Sequence, residues 1–185
     1  MKQLSGCILS LLVTLVCCVV PPGAAGQGVE IDKIVGRFSG YHLLTLRERD
    51  SETRAFILQH FPHTNPSIVH ADFDGDGHPD YAILLKHNKS AATKLVVLLC
   101  RENAECKSVF DQDVATADSC SGEVYIRPVP SGSRVSQTDA IDTNDYPPPV
   151  RLGSTGIEVT CFGKAKVIHY WNRKHKKMEA IQTED

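Results

Sequence analysis

The chain has 185 residues, a formal net charge of −2, seven cysteines and an aromatic content of 6%. That charge matches neither the basic surface of a nucleic-acid binder nor an acidic tail. The low aromatic content argues against a broad aromatic platform for carbohydrate.

The first element is a leader. Met1 and Lys2 make a short basic start, and residues 8–20 are apolar apart from Ser10 and Thr14. Small residues follow at 21–26, completing the three-part form of a secretory signal peptide over 1–26. The apolar core is shorter than the roughly 20 residues that span a bilayer comfortably. An uncleaved N-terminal anchor is the alternative. No later apolar run is long enough to span, so residues 27–185 are expected to form a single soluble α+β domain, secreted or periplasmic.

Export gives the cysteines a meaning. Cys7, Cys17 and Cys18 fall in the leader, leaving Cys100, Cys106, Cys120 and Cys161. Four cysteines can pair in three ways. Cys100 and Cys106 flank a short polar stretch and suit a closed hairpin, which leaves Cys120 with Cys161 in an oxidising compartment. The alternative is four buried free thiols. No CxxC motif supports a redox site or a zinc ribbon.

Residues 27–36 are short and mixed, an edge strand or a loose arm, and 41–46 are strand or the start of a helix. Asp50 offers an N-cap ahead of Ser51 and Glu52. Ala55, Phe56, Ile57, Leu58 and Phe61 then supply an apolar face before Pro62, which predicts a helix over 51–61. After it the pattern turns to strands: 67–71, 81–86, 94–100, 107–110 and 123–127. The apolar interior of 94–100 predicts a strand buried on both faces. Residues 131–149 are irregular and end in Pro147-Pro148-Pro149, a loop with extended character. Strands at 156–162, 165–171 and 176–182, with turns at 163–164 and 172–175, predict a meander. The expected fold is α+β, a mainly antiparallel sheet with one principal N-terminal helix.

Residues 72–80 read Asp-Phe-Asp-Gly-Asp-Gly-His-Pro-Asp. Four carboxylates in one turn repel one another as like charges unless a cation neutralises them. Asp72, Asp74 and Asp76 alternate, so a curled backbone can aim all three at one centre. Gly77 allows the sharp turn, the backbone carbonyl of His78 supplies a further oxygen, and Asp80 closes the cage. All these ligands are hard oxygens, which selects Ca2+. An EF-hand would carry Glu at the twelfth position; here that position is Ile83 in a predicted strand.

The stretch from His70 to Ala82 resembles the FG-GAP (VCBS-type) motif, the calcium-loop repeat of integrin α-chain propellers and of many secreted bacterial proteins. The resemblance covers about 20 residues. It implies a strand, calcium loop, strand order, with ligands at Asp72, Asp74, Asp76, the carbonyl of His78, and Asp80. The motif occurs once, whereas a propeller needs several blades, so a full propeller is not expected. The chain resembles small exported bacterial proteins carrying a single such motif.

Other constellations point less far. His70 and His78 bracket the loop, but HxH and HExxH spacings are absent. Ser131 and Ser133, with Asp139, Asp142 and Asp145 after them, are the candidates for an exported hydrolase, without a GxSxG motif. The basic run 173–177 suits an anionic surface polymer or lipid headgroups, or is a solvated turn. The sequon at Asn88 is treated as chance. The expected role is that of a non-catalytic calcium-binding module at the cell envelope or outside the cell. Its expected partner is a protein or a surface polymer, not nucleic acid. A hydrolase, or an inhibitor docking through 131–149, is the alternative.

Overall fold

The computed structural model describes residues 31–102, 105–138 and 148–184. The expected leader and Asp139, Asp142 and Asp145 lie outside the described residues.

Antiparallel strands are the main regular structure among the described residues. Five of them make the first sheet: β1 (Tyr41–Leu43), β2 (Ile68–Ala71), β3 (Asp80–His87), β4 (Thr93–Cys100) and β5 (Cys106–Ala115). The order is β1-β3-β4-β5, and β2 shares the β1 edge of β3 by pairing with residues 80–83. The second sheet holds β6 (Val124–Val129), β9 (Gly156–Cys161), β10 (Ala165–Asn172) and β11 (Lys177–Glu184), in the order β11-β10-β9-β6. Between β6 and β9 in sequence, β7 (Arg134–Val135) and β8 (Val150–Arg151) form a two-stranded ribbon. The β9–β10–β11 part is the expected meander.

Strand alternation decides how the layers stack. Ala82 and Leu84 of β3, with Leu95, Val97 and Leu99 of β4, pack against Val124, Ile126, Ile157 and Val159 of the second sheet. Tyr81, Ile83, Leu85, Val96 and Leu98 point the other way and meet Ile31 and Ile34. This is why residues 94–100 are continuously apolar: β4 is covered on both faces. Residues 31–35 are helical, not the edge strand or loose arm expected for 27–36. Spaced three apart, Ile31 and Ile34 share one face of that turn and cap the sheet. On the far side of the second sheet, Ile168 and Ile181 are covered by Val135 and Leu152.

Helix α1 (Ser51–His60) ends one residue before the predicted boundary. Asp50 caps it, its Oδ1 accepting the N–H groups of Glu52 and Thr53 at 2.9 Å each. The residue before the cap was not singled out by sequence and is central to the fold. Arg49 is only 3% exposed. Its guanidinium donates to the carbonyls of Thr45, Pro66 and Val124 and to Ser67 Oγ, joining the approach to α1, the start of β2 and β6. Burial lowers it to about 10, still charged at neutral pH.

Both expected disulfides are present. Cys100–Cys106 closes the β4–β5 hairpin, and Cys120–Cys161 ties the approach to β6 to the end of β9. Strand β5 runs well past the expected 107–110. Among the described residues, no helix is long and apolar enough to cross a membrane.

Candidate metal centre

The acidic loop connects β2 to its antiparallel neighbour β3, and the Ala71–Asp80 pair closes it at the base. Its own side chains curl the backbone. Asp72 accepts the N–H of Gly75 at 2.5 Å through Oδ1 and that of Gly77 at 3.0 Å through Oδ2. Asp74 and Asp76 each accept the N–H two residues on, at 3.1 and 2.9 Å, the local turn that aspartate favours. Gly75 and Gly77 take φ of 74° and 90°, which disfavours any residue with a Cβ.

Phe73 anchors this turn to the core. It is fully buried in the core between the two sheets. Its N–H donates to Asp80 Oδ2 at 2.8 Å, and its carbonyl accepts the hydroxyl of Ser154. The loop is therefore held from below by both sheets.

Three of the predicted ligands converge. One carboxylate oxygen from each of Asp72, Asp74 and Asp80 lies within 4.8 Å of the others. Oxygens bound to one calcium at about 2.4 Å are separated by up to about 4.8 Å, so the trio fits a shared ion. Asp80 is wholly buried. Burial pushes its carboxyl up to about 6, the nearby Asp74 and Asp76 adding to the effect and the N–H groups of Cys100 and Phe73 opposing it. Burial also raises Asp74. These shifts have the sign of carboxylates taken out of water, with their crowding adding to it.

Asp76 stands outside the trio. Its Oδ2 pairs with Arg101, whose Nη1 also lies 3.8 Å from Asp74 Oδ2. Asp76 is held below the usual carboxylate range, first by the His78 N–H and then by Arg101. His78 enters the loop through that N–H, and no histidine or cysteine joins the trio among the described residues. His70 instead stacks on Tyr81, with centroids 4.5 Å apart.

No protein-family model, curated protein or solved structure matches this chain.

Two arginines complete the site without having been marked by the motif. Arg101 directly follows the disulfide-bonded Cys100, so the β4–β5 hairpin carries it to the loop. Arg173 comes from the turn after β10. Its Nε and Nη2 donate to the carbonyls of Asp74 and Gly75 at 3.0 and 3.1 Å. A Cβ on Gly75 would sit 1.4 Å from Arg173 Nη2 and would displace that flexible guanidinium, while the positive φ is what calls for glycine here. The one signal available in the sequence was the basic run 173–177.

Of the candidate hydrolase residues, Asp139, Asp142 and Asp145 lie outside the described residues. Ser131 and Ser133 lie in the turn before β7, where the Ser133 backbone pairs with Pro130 and Leu152.

Proposed function

We propose that this chain is an exported, non-catalytic calcium-binding domain, with a binding or structural role at the cell envelope or outside the cell. The observation that carries the reading is the convergence of Asp72, Asp74 and Asp80, one of them fully buried, on a point between two paired strands. Asp76 joins them once Arg101 gives way, and the His78 carbonyl supplies a neutral oxygen. The bound ion neutralises the trio and clips β2 to β3. It supplies charge and rigidity and needs no nucleophile beside it. The two disulfides support an oxidising compartment, where millimolar calcium suits a loop of modest affinity.

Extracellular calcium modules bind at about 10⁻⁴ to 10⁻³ M. At ~1 mM calcium and a ~0.1 mM dissociation constant, binding stabilises the fold by about 1.4 kcal/mol. For a domain of this size that raises the melting temperature by roughly 3–6 °C. Thermal melts in EDTA and in calcium, with Asp74→Ala alongside, test this. The wild-type shift should vanish in the variant, and the absence of any wild-type shift refutes the calcium site.

A further inference from the structure

A cleft of about 430 Å³ lies beside the acidic loop, where the β4–β5 hairpin of the first sheet meets the β10–β11 turn of the second. Leu99, Val109 and the half-buried Trp171 give it an apolar lining. Around them stand Arg101, Lys107 and Lys176, with Glu105 as the acidic member. Leu99 and Lys107 face each other across β4 and β5. Lys176 belongs to the basic run 173–177 and takes a left-handed φ of 51°. Folding thus brings part of that run next to Arg101 and Lys107 from a distant stretch of chain.

Arg101 is already paired with Asp76, so Lys107 and Lys176 against Glu105 leave a local excess of positive charge in a chain whose net charge is −2. A low-dielectric cleft focuses such a field on an anion. The aromatic ring adds a second requirement. A π face is negative, and it attracts the weakly positive C–H groups on one face of a saturated six-membered ring. The volume falls within the about 300–1,000 Å³ of small-ligand clefts. A bilayer is a poorer fit, because a membrane-lying surface needs apolar side chains to insert. Leu58 is the large hydrophobic side chain exposed among the described residues, and it lies on α1, not in the cleft.

We propose that this cleft binds an acidic sugar of the uronate type. The pyranose ring lies against Trp171, and its carboxylate is taken by Lys107 and Lys176. Arg101 links the cleft to the acidic loop, but binding of the sugar does not require calcium.

Trp171 is the single tryptophan of the chain, so its fluorescence reports on the cleft directly. Trigalacturonate is titrated at low ionic strength with EDTA present, maltotriose serving as the neutral control. The expected result is a saturable fluorescence change with trigalacturonate alone, at least fivefold weaker in Lys107→Glu. Lys107 is exposed, and the melting temperature of that variant should match wild type. No saturable change, an equal response to maltotriose, or unchanged affinity in Lys107→Glu overturns the proposal. So does cosedimentation with phosphatidylglycerol vesicles in the absence of a trigalacturonate response, which assigns the cations to a membrane. Because EDTA removes calcium throughout, failure of the sugar site and failure of the calcium site are separate results.

Discussion

The carboxylate of Asp80 accepts the backbone N–H of Cys100 at 2.8 Å, joining the base of the acidic loop to the disulfide-closed end of β4. Its second oxygen holds the N–H of Phe73. Asp80 therefore serves the fold as well as the candidate ion. Replacing it with Ala leaves two buried N–H groups without acceptors, at about 1–3 kcal/mol each. Urea unfolding in EDTA should show a loss of that order for Asp80→Ala. By contrast, Asp72→Asn should be far milder in EDTA, because Asp72 is partly exposed. A near-neutral Asp80→Ala would refute this second role.

Arg101 and a calcium ion compete for the same carboxylates. The guanidinium pairs with Asp76 and stands 3.8 Å from Asp74, yet its side chain is 61% exposed. An exposed pair of this kind is weak. Removing it in Arg101→Gln should tighten calcium binding by roughly two- to fivefold. Titration calorimetry of both proteins measures this. Weaker binding in the variant would mean that Arg101 organises the loop instead of competing for it.

His169 should make the domain acid-sensitive. It is 8% exposed, its ring lies 4.9 Å from that of Phe110, and its Nδ1 has no hydrogen-bond partner among the described residues. Burial lowers it from the usual 6.5 to about 4. The unfolded chain thus binds a proton more readily than the folded one between those values. The stabilisation is complete above about pH 6.5 and is lost as pH falls towards 4, by up to about 3 kcal/mol in all. His169→Phe should flatten that part of the stability–pH curve. An unchanged slope in the variant would assign the acid sensitivity to other groups.

The two disulfides should differ in worth. Cys100 and Cys106 are 6 residues apart, Cys120 and Cys161 are 41 apart. On the chain-entropy argument these loops contribute about 2 and about 4 kcal/mol. Urea unfolding of the Cys100→Ser/Cys106→Ser and Cys120→Ser/Cys161→Ser double variants should therefore show the larger loss in the second. The reverse order would place the stabilisation in native contacts around Cys100, where Asp80 also binds.

What was legible in the linear chain is what depends on near neighbours. The acidic spacing at 72–80, the turn glycine at 77, the cap at Asp50 and the apolar run of β4 all act within a few residues, so their consequences can be read in order. The helical turn at 31–35 was missed because a single turn is too short to establish a period. Its helix exists to cover β3 and β4. The separation of the ligand set into a trio and an arginine-paired Asp76 was equally hidden. It depends on Arg101, which the β4–β5 hairpin delivers, and on Arg173, which arrives from the second sheet. The complete burial of Asp80 and the meeting of Lys107 with Trp171 have the same origin. Charge, desolvation and close approach act through space, and only the packing of one sheet on the other brings those residues within reach.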